Sequence, residues 1–139
     1  GMMVSGFPNL LMPSGPQSGS ASTNYPRGIE NGVNWCTDLL EYMLQHDLQY
    51  AEATAEAEQR WTDHVIKMYS VMLMRKAQSW FTGYNSNVDG HEAGKIRYMV
   101  YNGGTPKYVA TINDVADKDY EGIRFFAESE PFAGVATAG

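Results

Sequence analysis

The stretch Ile-Glu-Asn-Gly-Val-Asn-Trp-Cys-Thr-Asp-Leu-Leu-Glu-Tyr-Met-Leu, residues 29–44, decides the fold. Its apolar residues recur at steps of four, three, four and three, so they share one face of a helix. They are Ile29, Val33, Cys36, Leu40 and Met43, and Trp35, Leu39 and Leu44 widen the stripe. The pattern predicts a long amphipathic helix that ends at His46 and Asp47.

A short apolar run, Phe7–Met12, lies upstream of this helix and is followed by a loop rich in glycine, serine and proline. Pro8 punctuates the run and Pro13 ends it, which predicts a buried strand or strand end. The helix would then begin near Ile29, with a positive end and free backbone N–H groups that suit an anion or an electron-rich ring. An ordinary strand-to-helix connection explains the same pattern.

A second helix is predicted to begin at Thr54, a good N-cap, with Glu56 and Glu58 in its positive first turn. It is predicted to end near Leu73–Met74. A short extended stretch at Leu48–Tyr50 would lie between the first helix and the second. The inner face of the second helix is marked by Trp61, Val65, Met68 and Met72.

A third helix is predicted where Thr105 serves as the cap and Pro106 takes the first helical position. Strand-forming residues predict short strands at Ile96–Tyr101 and Ile123–Ala127. Together with Phe7–Met12, this makes about three helices and three short strands. The fold class is therefore α+β and mostly helical, with too few strands to close an obvious sheet.

The chain of 139 residues fits one segment, 1–139, with a flexible tail over 128–139. Its net charge of −6 argues against a nucleic-acid binder and against docking on an anionic membrane. Cys36 is the only cysteine, which excludes an internal disulfide and fits a cytoplasmic location. No apolar run approaches the roughly 20 residues of a membrane-spanning helix.

Motifs with chemical meaning are few. No G-x-G-x-x-G follows a predicted strand, and the three histidines stand at no metal-ligand spacing, so no catalytic or metal-binding residue is assigned. Trp80, in Ser-Trp-Phe-Thr-Gly-Tyr-Asn before a polar loop, could stack on a cofactor or close a cleft. The alternative is an aromatic side chain that pins a loop to the core.

A series of short motifs nevertheless occurs in one order along the chain. It comprises Gly6-Phe7-Pro8-Asn9-Leu10-Leu11-Met12, Gly15-Pro16-Gln17-Ser18, Trp35, Glu52-Ala53-Thr54, the spacing from Glu58 to Trp61, Lys76-Ala77-Gln78-Ser79-Trp80, Tyr101-Asn102-Gly103-Gly104, Tyr108 and Tyr120-Glu121-Gly122. The series resembles the C-terminal part of the flavin domain in Baeyer–Villiger monooxygenases of the cyclohexanone and phenylacetone monooxygenase type. The resemblance extends from about Val4 to Phe126.

The resemblance implies the C-terminal part of an α/β FAD-binding domain. The intact enzyme would use FAD and NADPH to insert one oxygen atom of O2 beside the carbonyl of a ketone substrate. Its partners would be the N-terminal FAD and NADPH domains, which are missing from this chain. The chain alone would bind neither cofactor and would be inactive.

The resemblance also implies the site residues. Tyr25 would contact the flavin, Ser20, Ala21 and Ser22 would form the part of the substrate pocket that tunes substrate choice, and Trp80 would touch the nicotinamide cofactor from a mobile loop. The first helix would point its positive end at the flavin, where it would stabilise negative charge on the reduced ring.

Two features depart from the family pattern. An insertion follows Asn85 before Gly94 and Lys95, which alters the loop after Trp80, and neither Arg75 nor Arg97 matches the catalytic arginine of the family. The alternative function is a free-standing helical interaction module descended from such an enzyme. Apolar faces left without their parent partners predict a homo-oligomer for the isolated chain.

Overall fold

A computed structural model describes residues 1–19, 23–90 and 100–127. It contains α1 (Tyr25–Gln45), β1 (Tyr50–Ala53), α2 (Ala55–Ser70), α3 (Thr105–Asp117) and β2 (Ile123–Phe126), with 3₁₀ turns at Leu73–Lys76 and Trp80–Thr82. The mostly helical α+β class and the three helices are confirmed. No helix in these described ranges combines the length and the apolar content needed to cross a membrane.

Helix α1 begins four residues before the predicted start at Ile29. Asn24 caps it by accepting a hydrogen bond from the Arg27 N–H, and Pro26 lies in its first turn. Asparagine and proline look like loop residues by composition, which is why the start was misplaced. The end at Gln45, with His46 as the C-cap, agrees with the prediction.

Helix α2 has the predicted N-cap, since the Ala57 N–H donates to the Thr54 hydroxyl at 3.2 Å. It ends at Ser70, earlier than predicted, because the apolar residues that follow continue into a 3₁₀ turn. In α3 the cap position belongs to Gly104, with φ of +82°, so the predicted cap Thr105 is instead the first helical residue.

The two strands pair antiparallel, with Tyr50 opposite Phe126 and Ala53 opposite Ile123. The strand predicted at Ile123–Ala127 is confirmed. Most of the strand predicted at Ile96–Tyr101 lies outside the described residues, as does the tail 128–139; residues 100 and 101 are described and are not in a strand.

The strand predicted at Phe7–Met12 is wrong. Turns take the place of a strand here: Asn9, within the segment, and Gly6, just before it, take left-handed backbone conformations, with φ of +59° and +83°. A regular strand has no place for such residues. Asn9 instead pairs with β1, because its backbone N–H donates to the Ala51 carbonyl at 2.9 Å and its side chain accepts from the Ala51 N–H at 3.0 Å.

Two carboxylates bind the residues just before this segment to the rest of the fold. The Ser5 N–H donates to Glu58 Oε2 at 2.6 Å, and the Gly6 N–H donates to Glu52 Oε1 at 2.7 Å. The other oxygen of Glu52 forms an ion pair of 2.7 Å with Arg124 on β2. Residues 1–19, although irregular, are therefore bonded to both α2 and the sheet.

The core lies between α1, α2, α3 and the sheet. The Trp35 indole N–H on α1 donates to the Ile112 carbonyl of α3 at 2.8 Å, and the Trp35 ring meets Tyr120 edge-on at 5.5 Å. At Gly32, an added Cβ would lie within 2.9 Å of the Pro13 carbonyl carbon, so the loop before α1 packs directly on the helix backbone. The most deeply buried side chains are Leu39, Val65, Tyr69 and Tyr101.

Candidate functional site

The residues predicted to form the site belong to two separate parts of the described structure. Tyr25 is the first residue of α1, and Trp80 begins the 3₁₀ turn that follows α2. Ser20, Ala21 and Ser22, predicted for the substrate pocket, lie outside the described residues, between the described ends at Gly19 and Thr23.

The Tyr25 side chain is fixed at its hydroxyl and open at its ring. Its phenol oxygen lies 2.7 Å from Ser14 Oγ, whereas the residue is 61% exposed. This hydrogen bond ties Ser14 to the first residue of α1. The exposed ring presents a flat apolar face of the kind on which a conjugated ring system stacks.

The N-terminus of α1 offers charge but few free donors. Pro26 has no N–H, the Arg27 N–H donates to Asn24 Oδ1, and the Gly28 N–H donates to the Asn24 carbonyl. The expectation of several free backbone N–H groups is therefore corrected. No acidic residue stands in the first turn of α1, so the positive end of the helix dipole is not neutralised there.

Trp80 projects from a turn that is itself well ordered by hydrogen bonds. The Ser79 hydroxyl accepts from the Phe81 N–H at 3.3 Å, and the Thr82 hydroxyl donates to the Ser79 carbonyl at 2.7 Å. The indole stacks on Phe81 at 3.9 Å but remains 64% exposed. Trp80 therefore lies outside the core, and the alternative that it pins a loop to the core is not supported.

A cavity that the sequence motifs did not predict lies between the N-terminal segment (residues 1–19), α2 and α3. It has a volume of about 450 Å³, and Met2, Met3, Trp61, Tyr108 and Ile112 contribute to its lining. Trp61 stacks on Tyr101 at 5.2 Å and meets Tyr108 edge-on at 5.9 Å. The inward positions of Tyr108 and Ile112 follow from helical periodicity, but the cavity depends on how three elements pack, which periodicity does not encode.

The described side chains provide little chemistry of their own. Burial raises the pKa of the Cys36 thiol, which makes it a poor nucleophile at neutral pH. Burial likewise raises the pKa of the Tyr108 phenol. Within ranges 1–19, 23–90 and 100–127, no group of three or more His, Cys, Asp or Glu side chains is placed to hold a metal ion. What the geometry offers is binding surface.

Comparison with known proteins shows what the chain is similar to. No protein-family model matches the chain. The chain is 37% identical over 136 residues to phenazine N-monooxygenase of Lysobacter antibioticus, a match that covers 98% of the chain and 24% of that protein. It is 34% identical over 123 residues to cyclohexanone 1,2-monooxygenase of Acinetobacter, covering 88% of the chain and 21% of that protein.

Solved structures agree with the sequence matches. Cyclohexanone monooxygenase from Rhodococcus bound to NADP+ superimposes with a TM-score of 0.80 at 29% identity, over 91% of this chain and 23% of that one. The OTEMO protein in complex with FAD and NADP superimposes with a TM-score of 0.77 at 28% identity, over 91% and 22%.

The chain thus spans about a quarter of the length of the curated relatives it matches, and the match occupies nearly all of the chain. The same small share recurs in the structural superpositions. By sequence and by fold, the chain is similar to a segment of Baeyer–Villiger and related flavin monooxygenases.

Proposed function

We propose that this chain forms part of the cofactor- and substrate-binding surface of a Baeyer–Villiger-type monooxygenase. The intact protein would use FAD, NADPH and O2 to convert a ketone to an ester or lactone, and this chain alone would be inactive. The observation that carries the proposal is the superposition on NADP+-bound cyclohexanone monooxygenase over 91% of the chain.

FAD would supply the oxygen-activating chemistry, and this chain would supply one side of its surroundings. The exposed Tyr25 ring would pack against the flavin while its hydroxyl stays bonded to Ser14. The unneutralised N-terminus of α1 would favour negative charge nearby. The loop containing Ser20, Ala21 and Ser22, which leads into Tyr25, would shape the ketone pocket.

Trp80 would hold the nicotinamide cofactor. Its exposed indole has a donor N–H and a flat face, and the ordered 3₁₀ turn beneath it fixes the point from which it projects. The insertion after Asn85 lengthens the chain that follows this turn, so the movement of the turn would differ from that in relatives without the insertion.

The described residues fit only part of FAD. Three of the first four backbone N–H positions of α1 are bonded or lack hydrogen, so this helix start is poorly equipped to bind a pyrophosphate. The phosphate-binding glycine loops would come from the N-terminal FAD and NADPH domains of the intact protein, which are the partners proposed for this chain.

The deciding experiment compares two proteins. The 139-residue chain and the protein encoded by the complete gene are purified. Their absorption spectra are recorded from about 350 to about 500 nm, where flavins absorb. We expect bound flavin and ketone-dependent NADPH oxidation only in the second. Stoichiometric flavin on the 139-residue chain would contradict the proposal, as would a complete gene that encodes no more than these residues.

One observation favours the alternative of a free-standing interaction module. The helices bury Trp35, Leu39, Val65 and Tyr69 within this chain, so the described residues have a core of their own. We infer that the isolated chain would pair with itself through exposed apolar residues outside α1, such as Val71 and Leu73, and would reside in the cytoplasm. Light scattering at micromolar concentration tests the pairing, and a monomer would contradict it.

A further inference from the structure

Helix α1 carries a second apolar strip beside the stripe that it buries. Val33, Leu40 and Leu44 are spaced by seven and four residues, which places them along one line of the helix. They are 45%, 49% and 81% exposed, although the neighbouring Leu39 and Met43 are buried. Val33 and Leu40, which the helical period predicted on the buried face, instead lie at its exposed margin, and nothing in the described structure covers them.

The C-terminal half of this strip, Leu40 and Leu44, borders a groove, which we call the α1 groove. Its volume is about 380 Å³, and its apolar wall is formed by Leu11, Leu40, Met43, Leu44 and Leu48. The wall thus joins the helix, the N-terminal segment and the turn before β1. Leu40 and Leu44 are exposed and Leu11 and Leu48 are half-buried, so the apolar wall is open to solvent on its helix side, as is typical of a surface that another polypeptide covers.

The edge of β1 that faces the groove cannot accept another strand. The Asn9 side chain accepts from the Ala51 N–H and donates to the Gln49 carbonyl at 3.0 Å, and the Asn9 N–H donates to the Ala51 carbonyl. The opposite edge of β1 is paired with β2. A covering element must therefore dock by side-chain packing, because the backbone groups that strand addition requires are already bonded.

The charge around the groove argues against a second copy of the chain. Glu30 and Glu41 are exposed on the side of α1 next to the strip, and Asp47 follows the helix. Two copies, each of net charge −6, would bring like charges together along such a contact. In the relatives, in contrast, about three-quarters of the polypeptide lies outside the matched segment. The corresponding part of a longer parent protein would be a covalently connected occupant for the groove.

We propose that the α1 groove is covered by an apolar helix or loop from the remainder of the parent polypeptide, docked through side chains and not by strand addition. This inference rests on the proposed function, since it requires that a longer polypeptide exists. The covering element would bring apolar side chains to Leu40 and Leu44 and would leave Glu41, on the adjacent acidic side of α1, in solvent.

The test is the accessibility of introduced thiols. Leu44→Cys places a thiol in the groove, and Glu41→Cys places one on the exposed acidic side of the same helix as the matched control. Each variant is made in the 139-residue chain and in the protein from the complete gene, and maleimide labelling of the native protein is followed by peptide mass spectrometry. Cys36, which is 7% exposed, stays in place as the internal buried reference.

In the 139-residue chain we expect both thiols to react at similar rates. In the complete protein we expect Leu44→Cys to react at least about tenfold more slowly than Glu41→Cys. Equal rates in a complete protein that binds flavin would overturn the inference and leave the proposed function intact. Labelling of Leu44→Cys that slows as the 139-residue chain is concentrated would show a second copy in the groove and would also overturn it. A complete gene no longer than this chain would overturn both proposals.

Discussion

The core around α1 and the segment 71–90 use the same kinds of residue in opposite ways. Trp35 is 5% exposed, bonded to α3 through its indole N–H and packed against Tyr120. Trp80 is 64% exposed and stacks only on the adjacent Phe81 among the ring contacts described. Val71 and Leu73, just before Trp80, are 86% and 83% exposed.

This difference separates what folds the chain from what the chain offers to a partner. Apolar residues in α1 recur at helical spacing, so Trp35, Leu39 and Met43 are buried together on one face. Apolar residues in segment 71–90 follow no such period: Val71 is the C-cap of α2, and Leu73 and Trp80 project from two short 3₁₀ turns. Their exposure is costly in isolation, a cost that the proposed contact with the rest of a longer polypeptide would relieve.

Removing each tryptophan in turn from the 139-residue chain should have the largest and most unequal effects. Trp35→Ala should lower the free energy of unfolding by about 3–5 kcal/mol, because it leaves a cavity and removes the bond to Ile112. Trp80→Ala should change it by no more than about 0.5 kcal/mol. Urea unfolding followed by circular dichroism measures both, and equal losses for the two variants would contradict the division.

Trp80 should show its effect in the complete protein. Trp80→Ala should cost about 1–3 kcal/mol of cofactor binding or transition-state stabilisation through the lost indole contact. The melting temperature should stay near that of the unmodified protein, because the side chain lies outside the core. Melting temperature and ketone-dependent NADPH oxidation are measured on the same preparation. A large fall in melting temperature with unchanged kinetics per folded molecule would assign Trp80 to structure.

Two glycines of α1 differ in the space around them. Gly32→Ala would force its Cβ into the Pro13 backbone, which cannot yield like a flexible side chain, and should destabilise the chain by about 1–3 kcal/mol. Gly28→Ala is the matched control, because its Cβ would meet Thr23 at an ordinary 3.6 Å. That change should stabilise the helix by about 0.5–1 kcal/mol. Thermal melts of the two variants should therefore shift in opposite directions.

The smallest expected effect concerns pH and the attachment of the N-terminal segment. The hydrogen bond from Arg124, supported by the Gly6 N–H, holds the pKa of Glu52 below its usual value of 4.5. A depressed carboxyl pKa contributes stability above pH 4.5 that is lost as pH falls through the folded value.

Glu52→Gln should therefore lower stability at neutral pH by no more than about 1 kcal/mol, since Arg124 is half-exposed. The difference between the two proteins should shrink as the pH falls to about 3. Urea midpoints at several pH values measure it, and a difference that grows in acid would show that the sign is wrong.

Local patterns were sufficient for the helices and insufficient for what joins them. The period of α1, the Thr54 cap and the glycines before α3 are written in neighbouring residues, so sequence reasoning found all three helices. The error at Phe7–Met12 arose because the partner of Asn9 is Ala51, 42 positions away. The exposed aromatic side chains were expected, but the cavity and the α1 groove depend on packing between distant elements.

Asn9 and the two carboxylates also determine how the first 19 residues should behave in solution. The amide hydrogens of Ser5, Gly6, Asn9 and Met12 are each bonded to a partner outside their own turn, at 2.6–2.9 Å. Amide exchange with deuterium depends on such bonds and not on regular secondary structure. A segment that circular dichroism would count as coil should therefore exchange at the pace of the sheet, opening and closing as one unit with β1.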